Sequence, residues 1–200
     1  MSNMLAIHGG EKTRREPFPS WPVYGVEEED ALKRVLHSGA WGRIDGRETE
    51  KFEQAFAKYH DAKYGIAVVN GSIALRIALM ALGIDAGDEV IVPAYTFLAT
   101  ATTVVECNAV PVFVDIAPDS YNLDPDKIEA AITERTKAIV PVHFGGLPAD
   151  MDRIMAIAKK HNLIVLEDAA HGHGAEYKGR KVGSLGDIAA FSFQASKNMT

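Results

Sequence analysis

From Tyr64 onward the chain alternates short, β-rich apolar runs with segments of helical period, and few arrangements of a backbone can absorb that alternation. The runs are "YGIAVVN", "DEVIVPA", "VPVFVDI", "TKAIVPVH", "LIVLEDA" and "IAAFSFQ". Between them lie "SIALRIALMALGI", "FLATATTVVECN", "DPDKIEAAI" and "DMDRIMAIAKKHN", each with a 3.6-residue period. Strands that read as nearly continuous apolar stretches are buried on both faces, and brief connections through helices make neighbouring strands parallel. The expected class is α/β: a mostly parallel sheet with helices on both faces. No internal repeat, low-complexity tract or interdomain linker interrupts it.

Ahead of this pattern lies an irregular arm, residues 1–25, in which Pro17, Pro19 and Pro22 of "EPFPSWPVYG" forbid a continuous helix or central strand. Residues 26–200 are then expected to form one domain. It starts with a helix in "VEEEDALKRVLHSG", acidic at its start with Gly39 past its end, and a second helix in "RETEKFEQAFAKYH". With 47% hydrophobic and 24% charged residues, 200 residues suffice for a well-buried core. A net charge of -6 without basic blocks argues against nucleic acid or an anionic membrane as partner and leaves a small molecule as the default. Cys107, the single cysteine, cannot form an internal disulfide, and no run approaches the roughly 18 apolar residues of a membrane span. "MSNMLAIHGGEKTRRE" lacks the apolar core of a signal peptide, so a cytoplasmic protein is expected.

Ligands of such sheets bind beyond the carboxyl ends of the strands. In "VVNGSIALRIAL", Gly71 and Ser72 stand between a strand and a helix, where free amides attract a phosphate; an ordinary helix cap reads the same way. The segment matches neither the dinucleotide nor the P-loop glycine pattern. Tyr95 and Phe97 follow another strand, where a ring stacks on a flat ligand or packs in the core. Glu167 and Asp168 end a strand of aliphatics, and one of the two must point inward, where a carboxylate needs a cation or several donors. His171 and His173 come next among small residues; two such histidines can bind zinc, but no second ligand cluster with metal-site spacing appears, so no metal is expected. Finally Ser192 and Lys197 lie past the last apolar run, where a lysine is either solvated or functional. A lysine that holds an aldehyde as a Schiff base and a carboxylate that keeps a ring nitrogen protonated are the two groups that pyridoxal phosphate chemistry requires.

The ordered set "NGSIALRIALMALGIDAGDEVIVPAYTF", "PVFVDI", "TKAIVPVHFGGLPADMD", "VLEDAAHGHGAEYKGRKVGSLGD" and "FSFQASKNMT" resembles the DegT/DnrJ/EryC1/StrS family of pyridoxal-phosphate sugar aminotransferases, over essentially the whole chain. The resemblance implies an aspartate-aminotransferase-like fold of type I and a homodimer with active sites at the subunit interface. It implies pyridoxal 5'-phosphate as cofactor, with Lys197 as the Schiff-base lysine and Asp168 as the partner of the pyridine nitrogen. Gly71, Ser72, the amide of Ile73 and Ser192 fall at the phosphate, and Phe97 at the ring face. His171 stands where many nucleotide-sugar members carry glutamine, which resembles the cyclitol aminotransferase and aminohydroxybenzoate synthase branch.

The implied substrates are an amino donor, glutamate or glutamine, and a keto-sugar or keto-cyclitol acceptor. Family members continue well past the Schiff-base lysine, through a region of about half their length that exceeds one ordinary domain, so the sequence reads as part of a longer enzyme. That further region is implied to hold the group for the donor carboxylate and the loop that reaches the neighbouring subunit's phosphate. Two alternatives remain at this point: dehydration or aromatisation with the same cofactor, and a cofactor-binding regulatory protein that does no chemistry. A lysine rather than a histidine at position 197 favours transamination over deoxygenating dehydration.

Overall fold

The computed structural model describes Met4–Thr200, so Met1–Asn3 of the expected arm lie outside the described residues. The chain forms two compact units, 1–41 and 42–200. The first holds the arm and helix α1 (Val26–Ser38). Three glutamates occupy the first turn of α1, the Gly25 amide donates to Glu28 Oε2 at 2.7 Å, and Gly39 leaves the helix at a φ of 69°. That start and stop are the ones the sequence predicts.

The second unit runs α2 (Glu48–Tyr59), α3 (Gly71–Ala81), β1 (Glu89–Pro93), α4 (Ala99–Glu106), β2 (Val110–Val114), α5 (Pro125–Ile128), β3 (Thr136–Ile139), α6 (Met151–His161) and β4 (Ile164–Asp168). A hairpin of β5 (Glu176–Tyr177) and β6 (Arg180–Lys181) and then β7 (Ile188–Ala190) complete it. The main sheet has the order β2-β1-β3-β4-β7, and every pairing in it is parallel.

Side chains of β1, β3 and β4 alternate between two separate cores, because successive residues point to opposite faces. Val90, Val92, Ala138, Val140 and Leu166 join α3 and α4 on one face. Ile91, Ile139 and Val165 join Ile128 of α5 and Met151, Ile154 and Ala158 of α6 on the other. Handedness explains which helix lands where. The step from β1 to β2 runs one way along the sheet and the steps to β3 and β4 run the other, so right-handed crossovers place α4 on one face and α5 and α6 on the opposite one.

One predicted strand does not form. The run 64–70 is β-rich yet makes no strand, and Ile66 and Val69 are exposed. A strand exists only where a neighbour accepts its backbone bonds, and among the described residues none pairs with it; the Ala67 amide donates instead to Glu53 Oε1 of α2 at 2.9 Å. The glycine-rich stretch 174–186 folds in part as the β5–β6 hairpin, whose turn residues Lys178 and Gly179 have φ of 50° and 79°. Two consecutive positive φ values make the tight turn whose twist suits a hairpin. No helix of the described residues is long and apolar enough to cross a membrane.

Ile154 is fully buried between α6 and the sheet. Ile154→Ala should lower the unfolding free energy by about 2–5 kcal/mol. Urea denaturation followed by circular dichroism checks this.

Candidate active site

The strand order reverses direction between β1 and β3, and the crevice expected of such a sheet lies beyond the carboxyl ends of these two strands. The segment after β1 carries Tyr95, Thr96 and Phe97; the segment after β3 carries His143 and Phe144; β4 beside it ends at Asp168.

Asp168 is buried on the α3/α4 face, as the alternation from Leu166 requires. Its Oδ2 accepts the Thr100 hydroxyl at 2.7 Å, and its Oδ1 accepts the Ala170 amide at 3.2 Å. Thr100 Oγ1 is also 2.8 Å from Thr96 Oγ1, one helical turn earlier. The backbone of Asp168 is held on both sides: its amide donates to Pro141 O, its carbonyl accepts from the His143 amide, and the Ala169 amide donates to Ala190 O. Burial pushes the Asp168 pKa up against the pull of the Thr100 hydroxyl and the Ala170 amide. A carboxylate in that position is stabilised by a cation brought to it.

The acidic pair resolves differently from the expectation that one of the two points inward: both are buried, on opposite faces of β4. Glu167 Oε1 accepts the amides of Leu185 and Gly186 at 2.8 Å each, and Oε2 accepts the Gly183 amide and His143 Nε2 at 2.9 Å each. Burial would raise its pKa, but the bonds from His143, Gly186 and Gly183 outweigh it and hold the carboxyl below its ordinary value. Glu167 is therefore satisfied by the protein, whereas Asp168 has fewer donors and faces the crevice side. Their strand position alone could not make that distinction.

The amino end of α3 and the end of β7 come together. A Cβ on Gly71 would lie 2.8 Å from Ser192 Cβ and 3.1 Å from Ser192 Oγ, so only glycine permits this approach. The Ile73 amide, expected at a phosphate, donates instead to Asn70 Oδ1 at 2.9 Å. That is the usual engagement of the third helical amide by an Asn N-cap, a signal already present in "VVNGS". Ser72 is exposed, and among the described residues the Gly71 and Ser72 amides have no partner. They remain free for an anion at the start of an eleven-residue helix.

Of the predicted aromatics, Phe97 is 73% exposed, while Tyr95 packs at 4.8 Å from Phe144 and 5.8 Å from Tyr121. His171 lies edge-on to Phe144 at 6.0 Å and accepts the Gly145 amide. Burial lowers its pKa, the Lys197 ammonium lowers it further, and Asp168 opposes them, which places His171 within electrostatic reach of both. Lys197 is half-buried in a turn closed by its amide on Gln194 O at 2.8 Å. His173 is separate: it packs among Phe56, Phe191 and Phe193, close to the buried His60. Among the described residues no group of three or more His, Cys, Asp or Glu is placed to hold a metal ion. Sequence reasoning missed Thr100, although Thr96 and Thr100 at i and i+4 around a helix start share one face.

The profile of the DegT/DnrJ/EryC1/StrS aminotransferase family matches residues 22–200. The chain is 46% identical over 204 residues to the L-glutamine:2-deoxy-scyllo-inosose aminotransferase of Streptomyces kanamyceticus, covering 100% of this chain and 48% of that one. Among solved structures it resembles 3-amino-5-hydroxybenzoic acid synthase with a TM-score of 0.90 and 47% identity, over 92% of this chain and 48% of the other. The aminotransferase from Psychrobacter cryohalolentis gives a TM-score of 0.89 and 51% identity, over 92% and 47%. The chain spans about half the length of the curated relatives it matches.

Burial lowers the pKa of both His60 and His173, so the folded state binds their protons less readily than the unfolded state does. Their contribution to stability is complete above the ordinary imidazole pKa of about 6.5 and is lost as pH falls from there through the lowered folded values. In unfolding titrations from about pH 8 to about pH 5, His173→Leu should lose less stability than the unsubstituted protein. Equal losses would remove His173 from this account.

Proposed function

The chain belongs to the DegT/DnrJ/EryC1/StrS aminotransferase family, and on that premise we propose that it forms the cofactor-holding part of an aminotransferase that moves an amino group from glutamine or glutamate to a keto-cyclitol or keto-sugar. The observation that carries this reading is Asp168, buried at the carboxyl edge of the sheet, hydrogen-bonded by Thr100 and, among the described residues, without an ion-pair partner. The residues around it fit pyridoxal 5'-phosphate. The free amides of Gly71 and Ser72, with the adjoining Ser192 hydroxyl, suit a phosphate; the exposed Phe97 suits a ring face; Asp168 suits a ring nitrogen; and Lys197 supplies the Schiff-base amine. When bound, this cofactor supplies an electron sink for a carbanion formed at the donor's α-carbon.

The chain's own residues do the rest. Lys197 Nζ would hold the cofactor and, once freed by the donor's amine, would take the proton from the donor's α-carbon and deliver it to the cofactor carbon that carries the nitrogen. Asp168, fixed by Thr100 and by its strand neighbours, holds the proton on the ring nitrogen. Phe97 covers one ring face and keeps water from it. The acceptor class rests on the names of relatives such as the scyllo-inosose aminotransferase, and on His171. A second reading, aromatisation of an aminocyclitol-like substrate, draws support from the likeness to 3-amino-5-hydroxybenzoic acid synthase. A homodimer with shared sites, located in the cytoplasm, completes the proposal; sedimentation of the purified protein tests the dimer.

Purified protein mixed with glutamine or glutamate should lose the cofactor's absorption band and recover it with a keto-cyclitol; a band insensitive to every amino donor would favour a sensor. Lys197→Ala should yield no borohydride-trapped adduct in mass spectrometry of the digested protein. Asp168→Asn keeps the shape and removes the charge, so turnover should fall by about 10²–10³-fold with a smaller loss of cofactor binding. Near-normal turnover would remove Asp168 from this role.

A further inference from the structure

The turn after β3 is built with more care than a connection requires. Its amide at Phe144 donates to Asn122 Oδ1 at 3.0 Å, and Asn122 Nδ2 donates to Leu147 O at 3.0 Å, so one buried side chain fastens both ends. Inside, the Gly146 amide donates to His143 O at 3.1 Å and the Leu147 amide to Phe144 O at 3.0 Å. Gly145 and Gly146 have φ of 59° and 86°, which other residues adopt only with strain.

This turn meets His171 at three places. The Phe144 ring lies edge-on to the imidazole. A Cβ on Gly146 would be 3.2 Å from the His171 carbonyl oxygen. The Gly145 amide donates to His171 Nδ1 at 3.2 Å. A neutral imidazole carries one proton, and a nitrogen that accepts a hydrogen bond cannot also be the one that bears it. The proton is then on Nε2, which has no hydrogen-bond partner among the described residues.

We propose that the Asn122-fastened turn 144–146 fixes His171 as its Nε2–H tautomer, so that the ring presents a single hydrogen-bond donor to an oxygen atom of a ligand held within reach of Asp168 and Lys197. The inference rests on the proposed function for the ligand's identity, but not for the tautomer. An imidazole free to exchange tautomers presents a donor or an acceptor at the same place. With Nδ1 occupied by a backbone amide, the choice is removed. The matching ligand atom is an acceptor without a proton of its own, such as a phenolate oxygen on the cofactor ring. Asn122 and Gly145 are positioning residues, acting through His171.

Nitrogen-15 NMR of protein labelled at histidine decides the tautomer in the cofactor-free state. The imidazole signals that vanish in His171→Gln identify the residue. One pure Nε2–H tautomer near neutral pH is expected; an Nδ1–H tautomer or an exchange average of the two overturns the proposal. Asn122→Ala, which unfastens the turn without touching the ring, should convert the pure tautomer to a mixture, and an unchanged spectrum would remove Asn122 from the device.

A second arm uses reach. A glutamine amide places its N–H where Nε2 stands, whereas asparagine places it where Nδ1 stands. With pyridoxal 5'-phosphate as the probe, His171→Gln should keep affinity within about threefold and His171→Asn should lose about tenfold, the size of one hydrogen bond. Asparagine equal to or better than glutamine overturns the proposal, with circular dichroism confirming that both variants are folded. Should the unsubstituted protein form no borohydride-trapped adduct with that probe, the proposed function falls, while the NMR result still decides the tautomer.

Discussion

The end of β4 carries two adjacent carboxylates on opposite faces of a buried strand, and much of the second unit is arranged around satisfying one and keeping the other available. Isolated charges in such a place cost far more than a folded chain can spare. Glu167 escapes that cost by collecting three backbone amides from residues 183–186 and the Nε2 of His143. In doing so it binds the segment that leads into β7 to the strand that bears Asp168. The satisfied carboxylate thereby sets the position of its neighbour. His143 takes part from both sides, since its Nδ1 accepts the Ala149 amide and its backbone amide donates to Asp168 O.

The two cores follow from the same alternation that makes the two carboxylates diverge. Odd positions of β1, β3 and β4 meet α5 and α6, and the neighbouring even positions meet α3 and α4 on the other face. Thr100 reaches Asp168 because α4 lies on the face to which position 168 points. A one-residue slip of β4 would exchange the two acids, giving Glu167 the crevice and burying Asp168 against donors set for a longer side chain. Register here is chemistry as well as packing.

Strand and helix order was legible because the apolar runs and helical periods are strong, and the residues ending β4 and following β7 announced themselves as polar groups at the ends of apolar stretches. Local periodicity carries no information about pairing. Residues 64–70 have strand composition, yet they join no strand and one amide is taken by Glu53. Which inward carboxylate is satisfied depends on amides close in space and distant in the sequence, so the contrast between Glu167 and Asp168 was invisible. The Ile73 amide was a different case: the cap that occupies it, Asn70, was there to be read. The donor that occupies His171 Nδ1 is the Gly145 amide, a partner that only the fold brings near.

The contact between Gly71 and Ser192 has an implication for how the molecule is assembled. The proposed anion cradle is split between the start of α3 and the end of β7, more than a hundred residues further along the chain, and neither half is complete alone. Half a cradle in an incompletely docked chain has little grip on an anion. A ligand seated there selects the finished structure over every partly docked one, and by mass action it adds its own binding free energy to the stability of that structure. In a cell, the supply of such a ligand would thus govern how long newly made chains persist, as well as how fast the finished ones work.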